Sequence, residues 1–210
     1  MYEVTVIATV ILMTVSAVDY VRRAWIRETS PVPATWILAV MMFALSFWMY
    51  WMSPRRSWTA NIAVIAGLLN VTTILIGVIA ANVRYGTLRV AFDRVQRWCL
   101  AFGVVVVVFW FVTDQPLVAY ALVQVIGIIA YVATVRRLWS AERSTEPLFL
   151  WVSILLATLC AIYPAWVKRD PFAWVYLARA VPSTAFMVWL VARAKRRGHR
   201  IAPHLAPTTP

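Results

Sequence analysis

Long apolar stretches, broken by short clusters of basic residues, run the length of the chain. The first reaches from about residue 3 to 21 and stops at Arg22-Arg23. The second covers about 33–52 and stops before Pro54-Arg55-Arg56, and the third covers about 58–82. Four more follow over about 98–112, 116–135, 147–167 and 171–192. A transmembrane helix needs roughly 20 mainly apolar residues. The fourth stretch is the shortest, so its helix is expected to cross with little tilt or to begin ahead of its apolar run. Lipid requires every backbone group to be satisfied within its own segment or in a closed barrel. These runs are too long and too continuous for the alternating strands of a barrel. The pattern therefore predicts an all-α integral membrane protein of seven transmembrane helices, with the lipid bilayer as its first partner.

Composition agrees with that pattern. Of 210 residues, 63% are hydrophobic and only 13% charged, and the mean hydropathy is +0.77. A soluble domain is nearer half apolar and about a quarter charged. The formal charge of +12 raises the question of a nucleic-acid partner. None is expected, because the basic residues sit where spans end. Cys99 and Cys160 both lie inside apolar stretches and give neither metal spacing nor a disulfide framework. The first stretch has no basic segment ahead of it and no convincing cleavage site, so it is expected to be a mature helix.

Basic residues also set an orientation. With the N-terminus outside, the inner connections and the tail hold 15 Lys and Arg, in groups around Arg22, Arg84, Arg136 and Arg193. The outer connections hold four, namely Arg55, Arg56, Lys168 and Arg169, and the remaining one, Arg179, lies inside the seventh span. By the positive-inside rule this bias predicts an outside N-terminus and a cytoplasmic C-terminus, in the plasma membrane. Residues 196–210, basic and then proline-rich, are predicted to be a disordered tail.

The chain also resembles itself at an offset of 114 residues. Val21-Arg22-Arg23-Ala24-Trp25 returns as Val135-Arg136-Arg137-Leu138-Trp139, and without a gap Glu28, Ser30 and Pro33 return as Glu142, Ser144 and Pro147. Seven of 13 positions match, after the first span and again after the fifth. Spans 1–3 then form one unit (1–83) and spans 5–7 another (114–195), with a basic loop and a linker helix between them (84–113). Three crossings would invert the second unit, and the linker helix restores its direction. The result is a pair of parallel repeats related by an axis along the membrane normal.

Three helices, a linker and three more is the plan of the SWEET sugar transporters and the wider PQ-loop superfamily. Tyr20 to Trp25, a short polar turn and a helix ending Phe47-Trp48-Met49-Tyr50 resemble that family's first repeat, and Gly127 to Trp139 with Ser144 to Pro147 resemble its second. The nicotinamide riboside transporters share a related plan, as do the KDEL receptors, which do not transport. The family's proline in the first helix of each repeat falls near Asp19 and Ala133 here. The resemblance implies a sugar-facing asparagine in the third helix of each repeat. Asn70 in Leu69-Asn70-Val71 is similar to the first, and Val181-Pro182-Ser183 resembles the second motif, Val-Pro-Asn, with serine in place of asparagine.

Polar groups inside spans are costly, so each is a candidate for function. Asp19 has Arg22 and Arg23 at i+3 and i+4, so a local ion pair accounts for it; the alternative is a gate. Asn70, with Gly67 and Thr73 one turn to either side, either lets helices pack closely or faces a ligand. Tyr176, Arg179 and Ser183 fall on one face of the last span at i, i+3 and i+7. Asn70, Thr73, Tyr176, Arg179 and Ser183 are the expected ligand-binding set, with Asp19 as the gating candidate. Arg179 either takes an anionic or carbonyl oxygen or only fastens helices together. Most tryptophans, among them Trp25, Trp48, Trp58, Trp98, Trp139 and Trp166, fall at predicted interfaces.

No GxSxG, HExxH or phosphate loop is present, so no enzyme, cofactor or metal is expected. A retinal protein would need a lysine deep in the last helix, and Lys168 and Lys195 lie at boundaries. The expectation is a transporter or facilitator of a small polar or anionic solute, working by alternating access between the two units. A receptor of the same plan and an accessory subunit of a larger complex are the alternatives, and self-association is left open.

Overall fold

The computed structural model describes residues 1–29, 31–140 and 146–201. They form helices α1 (Tyr2–Trp25), α2 (Pro33–Trp51), α3 (Ile62–Arg84), α4 (Arg94–Thr113), α5 (Pro116–Ser140), α6 (Leu148–Cys160), α7 (Ile162–Lys168) and α8 (Pro171–Ile201). Seven segments are long and apolar enough to cross a membrane, with α6 and α7 making one of them together. The chain is all-helical over its described residues and has the spans of a multi-pass membrane protein.

Local chemistry explains where the boundaries differ from the apolar runs. The fourth helix begins at Arg94 because Asp93 caps it: its carboxylate accepts from Gln96 N at 2.7 Å, and Gln96 Oε1 accepts from Asp93 N at 3.1 Å. The third helix starts at Ile62, after turns that end on Asn61. The sixth span is interrupted at Ala161. Pro164 has no N–H to give the Cys160 carbonyl, so one turn of the ladder fails there. The last helix runs on to Ile201, so residues 196–201 of the expected tail are helical. Residues 202–210 lie outside the described residues, as do Ser30, Glu142 and Ser144 of the repeated segment.

Six helices close a ring. α1 packs on α3, α3 on α2, α2 on α5, α5 on α8, α8 on α6, and α6 back on α1. The helix α4 stands outside, against α5 and α2. Around the ring, Val4, Ile7, Ile11, Val15 and Val18 of α1 are exposed at helical spacing. Such a stripe suits lipid and not water. Trp48, Trp58, Trp98, Trp139 and Trp166 are exposed near helix ends, as a membrane-interface belt requires. Trp110 is instead buried, edge-on to Trp48 with ring centroids 5.3 Å apart.

The helices alternate in direction, which gives the bundle two distinct ends. Tyr2 at the start of α1 bonds Thr59 ahead of α3, whereas Tyr85 at the end of α3 bonds the Trp25 carbonyl at 2.6 Å. One end carries Asp170 and the starts of α1, α3, α5 and α8. The other carries Pro31 and the starts of α2, α4 and α6.

Candidate functional site

A cavity of about 130 Å³ lies in the middle of the six-helix ring. Every ring helix contributes to its wall, through Met13, Met42, Asn70, Gly127, Ile154 and Arg179 among others. It extends toward the Pro31 end, where Val32, Thr35, Trp36, Thr134 and Glu146 line it. Two glycines shape its wall. A Cβ added at Gly67 would run into the Phe43 ring, and one at Gly127 would meet the Met42 sulfur at 2.6 Å and the Arg179 guanidinium carbon at 3.5 Å. Glycine at 127 thus makes room for the Met42 sulfur, with the guanidinium at ordinary van der Waals distance beside it.

Arg179 is the one basic residue that lines this cavity, and it is 6% exposed. Its Nε and Nη2 donate to Gln124 Oε1 at 3.3 and 3.0 Å, and Gln124 Nε2 donates to Ser46 Oγ at 2.9 Å. This relay ties α8 to α5 and α5 to α2. The guanidinium also sits 5.0 Å from the Tyr176 ring centroid and beside the Tyr131 hydroxyl. The acceptor of both guanidinium hydrogen bonds is a neutral amide, not a carboxylate. Trp151, whose ring lies 5.9 Å from that of Tyr131, also lines the cavity. Its Nε1 is buried and finds no acceptor among the described residues.

Asn70 lines the cavity too, yet its Nδ2 donates to the Met13 carbonyl at 2.6 Å and to Ser16 Oγ at 2.9 Å. Its amide hydrogens therefore fasten α3 to α1, and only the rest of the group is left for a ligand.

Of the expected ligand-binding set, Asn70, Tyr176 and Arg179 come together at the cavity. Ser183 and Thr73 do not. Ser183 lies in a shallow groove with Ile128, Val132 and Phe186, and Thr73 is exposed on the outer face of α3. The α8 hydroxyl at the cavity is that of Thr184, whose Oγ1 donates to the Ala180 carbonyl at 2.7 Å. Asp19 is not at the cavity. It pairs with Arg23 at 2.7 Å and Arg22 at 3.6 Å, and Arg23 reaches Glu28 at 2.9 Å. Among the described residues, the local ion-pair account covers its polar contacts.

Gln124, Ser46, Tyr131 and Trp151 escaped sequence reasoning. Gln124 was findable, since it is a polar side chain near the middle of the fifth span.

The Asp170 end of the cavity is closed by a layer of fully buried polar and aromatic groups. The Tyr50 hydroxyl donates to Asp170 Oδ2 at 2.8 Å and accepts from Ser57 N at 2.8 Å. Asn61 Nδ2 donates to the Tyr120 hydroxyl at 3.2 Å. The Phe172 ring lies between the two tyrosines, with centroids 5.6 Å from Tyr50 and 5.1 Å from Tyr120. Asp170 Oδ1 meanwhile accepts from Phe172 N and Ala173 N at 2.9 and 3.1 Å, which caps α8. Compared with family models, curated proteins and solved structures, the chain matches none.

Proposed function

We propose that this protein is a facilitator of a small polar solute, working by alternating access on the SWEET/PQ-loop plan, with its N-terminus outside and its C-terminus in the cytoplasm of the plasma membrane. The observation that carries this reading is the central cavity, which holds a buried guanidinium, reaches one end of the bundle and is sealed at the other. A solid apolar centre would have favoured an accessory subunit.

Two parallel repeats are part of the proposal. Helix neighbours support them: α3 packs between α1 and α2, and α8 packs between α5 and α6. The contacts between units are reciprocal, α1 with α6 and α2 with α5. At the offset of 114 residues, Met13 falls on Gly127, Tyr20 on Thr134, Val32 on Glu146 and Asn70 on Thr184, and all eight line the cavity. A two-fold axis through the cavity accounts for each of these pairs.

With the basic end inward, the solute enters from the cytoplasmic side through Trp36 and Glu146, and the Tyr50–Asp170 layer is the outer closure. Release outward requires that layer to part and the Pro31 end to close. The test is a thermal-shift screen of the purified protein against sugars, nucleosides, vitamins and carboxylates, followed by counterflow of each stabilising solute in proteoliposomes. Saturable counterflow is expected. A solute that binds at the cavity and never crosses overturns the proposal and favours a receptor.

A further inference from the structure

The cavity wall is chemically lopsided, and the imbalance identifies a class of ligand. A guanidinium carries five N–H donors and accepts nothing. Two atoms of the Arg179 group serve Gln124, and the Tyr131 hydroxyl lies beside it, which leaves donors in excess. The Trp151 N–H adds another donor, buried at 8% exposure and without an acceptor among the described residues. Such groups are stable in a low-dielectric interior only when an acceptor meets them. A planar guanidinium suits the two oxygens of a carboxylate.

Beside the polar Asn70, Tyr131, Tyr176 and Thr184, the wall is apolar, with Met13, Leu38, Met42, Phe43, Val71 and Ile126. One buried cation balances one negative charge, and a doubly charged phosphate would keep an uncompensated charge among these side chains. Size sets a further limit. A cavity near 150 Å³ holds a benzene-sized molecule, and this one measures about 130 Å³.

From these observations we infer that the central site takes a small monocarboxylate with an apolar body, its carboxylate on Arg179 with Trp151 as a further donor and its body against Met42, Phe43 and Ile126. This assignment rests on the central-cavity reading above and narrows it to one class of solute. Gln124 is then a positioning residue, holding the guanidinium while the ligand arrives.

The test is equilibrium binding of labelled benzoate to the full chain in nanodiscs near neutral pH, with empty nanodiscs subtracted. Benzamide and inorganic phosphate serve as competitors. Benzamide keeps the ring and removes the charge, and phosphate keeps charge and removes the body. Saturable benzoate binding is expected, with benzamide and phosphate each at least about tenfold weaker, as the loss of a charge-assisted hydrogen bond implies. Arg179→Gln lowers benzoate affinity at least about tenfold, and Arg179→Lys restores part of it. Trp151→Phe, which keeps the ring and removes the N–H, lowers it about threefold or more. Should Arg179→Gln fail to fold, the Trp151→Phe variant and the benzoate–benzamide comparison decide alone. Equal binding of benzoate and benzamide, tighter binding of phosphate, or no saturable benzoate binding overturns the carboxylate site. Counterflow of a sugar without benzoate binding overturns this inference and leaves the carrier. Benzoate binding at Arg179 without counterflow overturns the carrier and leaves the carboxylate site.

Discussion

Tyr50→Phe tests the proposed outer closure, because it removes one hydroxyl and keeps the ring that packs against Phe172. The lost atom donates to Asp170 Oδ2 and accepts from Ser57 N, both at 2.8 Å, in a layer where Tyr50 is fully buried. A hydrogen bond to a charged group contributes roughly 1.5–3 kcal/mol. The helix cap survives, since Asp170 Oδ1 keeps both of its backbone donors. The cost therefore falls on the closed state, which loses these bonds, and not on an open state in which the layer has parted. At about 1.4 kcal/mol per tenfold, the open state gains roughly 10- to 150-fold in population. A cysteine at Thr184, on a background with Cys99 and Cys160 replaced by alanine, reports it. A membrane-impermeant methanethiosulfonate added on the Asp170 side should label that cysteine at least about tenfold faster in Tyr50→Phe. Equal labelling rates in two folded proteins would show that Tyr50–Asp170 is not a closure of the cavity.

Four further outcomes follow from the same geometry. Cysteines at Arg55 and Thr87, both exposed, should label from opposite faces of sealed vesicles, with Thr87 on the cytoplasmic face; labelling on one face refutes the topology. Gly67→Ala forces the Phe43 ring aside and should lower stability by about 1–3 kcal/mol, read as a fall in thermal midpoint. Asn70→Leu removes two buried hydrogen bonds between α3 and α1 and should also lower the midpoint, by the equivalent of about 1–3 kcal/mol. Asp19→Asn touches only a partly solvated ion-pair cluster, so it should change stability by less than about 1 kcal/mol and leave ligand binding unaltered.

The spans were legible because lipid imposes one demand on every crossing segment, and a run of apolar residues meets it visibly. What ran against the apolar pattern was local. Asp93 and Gln96 are polar, and so fall outside an apolar run, yet their reciprocal bonds begin α4 four residues before Trp98. The Ala161 break was invisible to hydropathy because the residues around Pro164 stay apolar throughout. The helix beyond Lys195 is written in Arg and Gly, which read as solvated chain, although a helix leaving the membrane needs no apolar face.

Half of the site was legible as well, and the reason lies in what a polar residue inside a span must do. Arg179 stood out because no other basic residue interrupts a span. Its partner did not, because Gln124 lies 55 residues away and sequence spacing says nothing about which helices are neighbours in the ring. Ser183 was expected from its spacing to Tyr176 and Arg179 on one helix face, beside a motif resemblance, and the cavity holds Thr184 instead. The repeat itself carried the better signal: moving Asn70 forward by the 114-residue offset lands on Thr184, not on Ser183. One residue on a helix is a turn of about 100°. That rotation is the difference between a hydroxyl at the cavity and one in a groove beside Phe186. On the proposed repeat, the offset that relates the units ranks site residues more sharply than a three-residue motif. The same offset sets Met13 of α1 opposite Gly127 of α5. A methionine in one unit is thus answered by the smallest residue in the other, and on that side the space is filled by the Met42 sulfur. Under the proposed two-fold plan the two positions are equivalent, and what separates them is the room that the Met42 sulfur takes up beside Gly127.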